Sequence, residues 1–168
     1  MRRTDKEITD RAVIEAILAE APVCRLGMSR DNRPYIVALN FVYHDNCLYM
    51  HCAPEGAKLD IMRVNPTVCF EVATRVAIVP TETSCSWTCK YFSVVGWGRV
   101  TIVQDRASKH RAFELFMQKF SGRDNWQFPD DVLNDVALLR VDISEMTGKR
   151  SGYDTWSPSA VERPWLKR

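Results

Sequence analysis

Three residues in one short stretch of the chain have the types and spacing to act together: His51, Gly56 and Lys58, within Leu48-Tyr-Met-His-Cys-Ala-Pro-Glu-Gly-Ala-Lys58. Pro54 and Glu55 are start signals for a helix, and a helix start exposes backbone N–H groups that no residue of the helix itself accepts. Gly56 lets a ligand come close to that backbone, and Lys58 adds a full positive charge in the first turn. Together these features suit a phosphate. His51 ends the preceding β-rich run and is the residue of this motif whose unperturbed charge changes near neutral pH, so it is the candidate catalytic group. Each has a plainer reading: a lone lysine in a first turn is ordinarily solvated, and a strand histidine ordinarily makes a structural hydrogen bond.

Placing these residues requires a hairpin and a short helix. Tyr35 to Tyr43 and Cys47 to Cys52 read as antiparallel strands joined at Asp45-Asn46, with Leu48, Met50 and Cys52 on one face and Tyr49 and His51 on the other. Glu55 and Gly56 open the helical run, and Asn65-Pro66 ends it. A first helix is expected over Asp5 to Glu20, with Thr9 or Asp10 as a cap partway along it. Further strands are expected at Val23 to Met28, Thr67 to Ala73, Tyr91 to Val103 and Val136 to Ile143. Gly96 and Gly98 suggest a bulge or bend in the longest of them. Ala107 to Ser121 reads as an amphipathic helix stopped by Gly122, and Ser144 to Arg168 as a tail carrying Trp156 and Trp165. Many strands at short spacing with few helices favour a small antiparallel barrel, in a single domain over 1–168.

Composition narrows the function classes. The net charge is +2 with both signs interspersed, which argues against a nucleic-acid footprint. No apolar run reaches the roughly 18 residues of a membrane span. Six cysteines follow a charged start without a signal-type apolar segment, so a reduced cytoplasm is expected. Cys85-Ser-Trp-Thr-Cys89 lacks a second ligand pair, and no metal site is expected from it. Gly96-Trp97-Gly98 lies inside a strand and lacks both the third glycine and the helix of a dinucleotide fingerprint.

Pro34-Tyr-Ile-Val-Ala-Leu-Asn-Phe41, the His51-x-Ala53-x-x-Gly56-x-Lys58 core and Asn65-Pro-Thr-Val-Cys-Phe-Glu71 resemble the pyridoxamine 5′-phosphate oxidase-like, FMN-binding split-barrel superfamily, in its nitroimidazole-resistance, flavin-reductase-like branch. The resemblance runs from about Met1 to Lys149. Ala38 stands where such proteins often carry proline, and Cys52 where glycine or serine is expected. The resemblance implies a mainly β, six-stranded antiparallel split barrel with flanking helices, forming a homodimer with FMN at the interface and the tail packed there.

Residue roles follow from the same resemblance. Lys58 would pair with the FMN phosphate near Gly56, with Ala53 inside the motif, and the backbone at Asn40 and Phe41 would face the flavin ring. His51 would lie by that ring, orienting a small electron-poor substrate such as a nitroaromatic and donating a proton. Ser93 and Val94 resemble the segment passing the ribityl chain, Lys149 matches a recurring end motif, and Trp156 would reach the partner's flavin. The implied activity is an FMN-dependent oxidoreductase; the alternatives are a flavin- or haem-binding storage, sensing or relay protein, or a cofactor-free dimeric scaffold.

Overall fold

The computed structural model describes residues 3–158. Seven strands carry the fold: β1 (Glu7–Ile8), β2 (Val23–Arg30), β3 (Arg33–His44), β4 (Cys47–Cys52), β5 (Thr67–Val79), β6 (Thr88–Val103) and β7 (Ala137–Ser151). The helices are α1 (Arg11–Glu20), α2 (Ala57–Val64), α3 (Arg106–Ser121) and α4 (Asp130–Asn134). The sheet is antiparallel throughout, in the order β1-β7-β4-β3-β2-β5-β6, and β6 also pairs with β7, so the pairing closes on itself. The expected count of six is therefore one short. The additional strand is the two-residue β1, which pairs Ile8 with Gly148 of β7.

Turn chemistry explains the hairpins. Asp31 and Asn32 between β2 and β3, and Asp45 and Asn46 between β3 and β4, all have positive φ near 50–60°. Two such residues in succession make the turn whose twist matches paired strands, and Asp and Asn tolerate it. The strands β2 and β3 run closer to their turn than expected, pairing out to Arg30 and Arg33.

Several boundaries differ from the sequence expectation. Asp10 caps α1 by accepting from the Ala12 N–H at 2.9 Å, so the helix begins at Arg11 rather than Asp5. Ile8 is thereby released into β1, where it packs against the core. β5 extends through Val79 and β7 through Ser151, because each continues to find partners on β6. The tail begins at residue 152, and Trp165 lies outside the described residues.

The β6–β7 pairing is the longest in the sheet and contains one irregularity. Trp97 faces Glu145 and Gly98 faces Ile143, so Ser144 is an extra residue on β7, and its hydroxyl donates to the Trp97 carbonyl at 3.0 Å. The expected bulge is present, opposite Gly96-Trp-Gly98 rather than within it. Both glycines are needed for close approach. A Cβ on Gly96 would meet the Phe70 ring, and one on Gly98 would meet the Asp142 carbonyl oxygen and, at 2.8 Å, the Val141 side chain.

Inside the ring, Leu26, Phe41, Leu48, Met50, Phe70, Val72, Phe92, Val94, Leu139 and Val141 are almost wholly buried. α1 contributes Ile14, Ile17 and Leu18 to this core, and α2 contributes Leu59 and Met62. Gly98→Ala should lower the unfolding free energy by about 1–3 kcal/mol, the usual range for overpacking a tight site. Urea denaturation of both proteins, read by tryptophan fluorescence, measures the difference.

Candidate functional site

Alternation along β4 sends Leu48 and Met50 into the core and Tyr49 and His51 outward. The outward side is covered here by α3. Phe113 lies 5.3 Å from His51 between ring centroids, and Phe116 5.0 Å away in a perpendicular arrangement. His51 Nδ1 is enclosed and has no hydrogen-bond partner. Burial pushes the His51 pKa below its ordinary value, so the neutral imidazole is favoured.

After β4 the chain reaches Ala53, which is exposed, and then Gly56, the residue before α2. Gly56 has φ 119° and ψ 168°, a conformation that side chains disfavour, and open space lies where a Cβ would project. No side chain caps α2. Lys58, at the second helical position, makes no hydrogen bond or ion pair with the other described residues and is half-exposed. The arrangement offers backbone donors, a helix dipole and one uncommitted ammonium to an anion. Cys52 packs half-buried against the core; burial pushes its thiol pKa up, and Lys58 only partly opposes this. The thiol is held in its protonated, poorly nucleophilic form.

The remaining candidates are brought together by strand register. Asn40 pairs with Val23, Ala73 with Ser93, Ser93 with Lys149 and Lys149 with Glu7. The β2–β5 register, Arg25 with Glu71, carried two residues further sets Val23 opposite Ala73. One step beyond the Phe41–Met50 pair sets Asn40 beside His51. His51, Asn40, Ser93 and Lys149 therefore lie on one row across the outer surface of the sheet. At about 4.8 Å per strand, Asn40 and Ser93 are roughly 14 Å apart along it.

Beside this row run two more, Ala38–Arg25–Glu71–Val95–Thr147 and Ile36–Gly27–Cys69–Trp97–Glu145. Much of this surface is open, with Ile36 70% and Trp97 43% exposed, and an ion pair on it joins Arg25 Nη1 to Glu71 Oε2 at 3.0 Å. These residues were missed in the sequence because exposure of alternate β5 and β6 positions depends on which outer surfaces the helices cover. Ser93 is buried, while Lys149 is half-buried with its ammonium 5.5 Å from the Tyr91 ring centre.

Three expected residues stand apart from this surface. The Phe41 and Val94 side chains point into the core, so neither can touch a ligand outside the sheet except through backbone. The Phe41 carbonyl is already taken, accepting from Lys119 Nζ at 2.9 Å. Trp156 packs within its own chain, 3.9 Å from the Arg75 guanidinium and edge-on to Phe92 at 4.9 Å.

A closed antiparallel sheet with helices at its flanks is a mainly β architecture rather than a doubly wound nucleotide fold. Residues 10–150 match the pyridoxamine 5′-phosphate oxidase family model, and the chain belongs to that family. A crystal structure of a candidate 5-nitroimidazole antibiotic resistance protein from Bacteroides thetaiotaomicron VPI-5482 is similar, with TM-score 0.75, 29% identity and 86% of each chain covered. The FAD and haem binding protein from Mycobacterium smegmatis has TM-score 0.77 at 18% identity, covering 97% of this chain and 80% of that one, a likeness of fold. An uncharacterized protein from Rhizobium meliloti (strain 1021) is 35% identical over 66 residues, 39% of this chain and 43% of that protein's length. No helix among the described residues is long and apolar enough to cross a membrane.

Because burial lowers the His51 pKa, the unfolded chain takes up that proton first as the pH falls. The contribution of His51 to stability is full above about pH 6.5, its unfolded value, and is lost as the pH drops from there towards the folded value. Urea midpoints between pH 7.5 and 5 should decline for the natural protein, and His51→Leu should flatten part of that decline. An identical slope in the variant would show that His51 is not the buried neutral group.

Proposed function

We propose that the protein is an FMN-binding oxidoreductase acting on a small electron-poor substrate, a nitroaromatic being the leading class. The observation that carries this reading is the shared outer row of Asn40, Ser93 and Lys149, with His51 at its end. Residues selected by motif in four separate strands fall on one register row, and its length supports the reading of a mononucleotide site. Lys58 and the N–H groups after Gly56 would hold the phosphate, and the backbone at Asn40 would hold the polar edge of the ring. One terminal anion site favours FMN over FAD. The flavin, when bound, supplies hydride transfer.

What the chain's own residues contribute is position and polarity. His51, favoured neutral, would offer a ring N–H to a polar oxygen of the substrate, and Phe113 and Phe116 keep its ring from turning. The exposed Ile36, Val23 and Trp97 would be covered by a second copy of the chain, which would also exclude water from the flavin. We propose accordingly a cytoplasmic, single-domain protein working as a homodimer. The cover over His51 favours a second reading, a flavin- or haem-binding relay protein without a dedicated substrate. The visible spectrum of the purified protein separates flavin from haem.

Cofactor released by heat should run as FMN on a reversed-phase column; FAD would overturn the assignment. Lys58→Ala should weaken FMN binding by about tenfold or more, since a charge-assisted bond contributes about 1.5–3 kcal/mol. Flavin fluorescence titration measures it, and an unchanged Kd places the phosphate elsewhere. His51→Ala should keep FMN bound while slowing reoxidation of the reduced protein by a nitroaromatic acceptor about 10²-fold. Stopped-flow on the flavin-saturated variant decides this, with a natural rate removing His51 from catalysis.

A further inference from the structure

A separate cavity of about 460 Å³ lies on the side of the sheet that α3 covers. Its floor is one register row, Tyr49 of β4, Arg140 of β7 and Thr101 of β6, which pair successively across the sheet. Its roof is a single stripe of α3, Ser108, Arg111, Ala112 and Leu115, spaced by three, one and three residues as one helix face requires. A cavity of this size lies within the range of small-molecule sites, and it combines an apolar wall with a few polar groups, as such sites do.

The polar groups divide into committed and uncommitted ones. Asp142 accepts from Arg140 Nη2 at 2.6 Å and from the Cys47 thiol at 3.3 Å. Asp105 accepts from the Ser108 N–H at 2.8 Å and caps α3. Both carboxylates lining the cavity are thus used by the fold. Arg111 makes no hydrogen bond or ion pair with the other described residues, and the Tyr49 hydroxyl makes no hydrogen bond with them. The uncommitted groups are a guanidinium above and a phenol below, with the remaining Arg140 donors beside them, while Val103, Ala112 and Leu115 supply apolar surface.

We propose that this cavity binds a small organic carboxylate with an apolar or aromatic body. Arg111 closes on the carboxylate from α3, the Tyr49 hydroxyl donates to it from β4, and the body packs against Leu115 and Ala112. A guanidinium fork suits a planar carboxylate better than any neutral group of the same shape. Arg140 is partly neutralised by its bond to Asp142 through Nη2 and supplies its other donors from the floor. The cavity uses none of the residues of the row proposed above to hold flavin.

Benzoate, with neutral benzamide as its isostere, tests the assignment on the full-length protein by NMR titration of backbone amides. Benzoate should give saturable shifts centred on Thr101, Ser108, Ala112 and Arg140, and benzamide should bind at least about tenfold more weakly. Arg111→Gln should weaken benzoate about tenfold, and Leu115→Trp, which fills the cavity from an incompletely buried position, should abolish the shifts while leaving the remaining spectrum folded. Equal affinity for benzamide, unaltered affinity in Arg111→Gln, or shifts elsewhere with none at these amides overturns the proposal. The readout involves neither flavin nor turnover, so its failure is distinguishable from failure of the FMN assignment.

Discussion

The structure depends on the closure of β6 against β7. Thirteen register pairs join these strands, from Tyr91 with Ser151 to Val103 with Leu138. That length is attainable only because the ladder bends once, where Ser144 is inserted opposite Gly96-Trp-Gly98. A bulge increases local twist, and glycine allows the facing backbone to approach; together they let a flat pairing become a closed one. Without closure, β6 and β7 would each present an open edge and the residues inside would face water.

Closure also assigns the two outer surfaces. Around β4 and the adjoining ends of β6 and β7, α3 lies across the sheet, and Lys119 from α3 donates to the Leu18, Ala21 and Phe41 carbonyls. This one ammonium satisfies backbone at the end of α1 and on β3 together, fixing where α3 sits. Across β3, β2, β5 and the middle of β6 several outer positions remain exposed, with Ala38, Arg25, Cys69 and Trp97 open to solvent, whereas Ser93 is buried. A sheet covered on one side only leaves the other for a ligand or a second chain.

A second anchor holds the chain end against the barrel. Arg75 has a positive φ of 52° at the irregularity between Thr74 and Ala77, a conformation unusual for a long side chain. Glu20 accepts three bonds from it at 2.9, 3.2 and 2.6 Å, the Tyr153 hydroxyl donates to its carbonyl, and its guanidinium lies over Trp156. The end of α1, the β5 bend and the start of the tail are therefore tied through one residue, and Trp156 is spent on packing within its own chain.

Much of the local structure was legible in the sequence because its causes are local. Asp45-Asn46 called for the tight hairpin, Gly122 for the end of α3, Asn65-Pro66 for the end of α2, and the alternation along Leu48 to Cys52 for the two faces of β4. The basic, glycine-opened helix start at Gly56 and Lys58 was likewise visible, since a helix terminus is defined by its own residues. The start of α1 at Asp10, the extension of β7 to Ser151 and the seventh strand were not, because each depends on a partner far along the chain. The same holds for the site. Sequence identified Asn40, His51, Ser93 and Lys149 separately, whereas the register of five strand pairings set them in one row, turned Phe41 and Val94 inward and laid α3 over His51. Propensity and motif act over a few residues, while register and closure are decided by pairings between distant segments, and only the tertiary structure contains those.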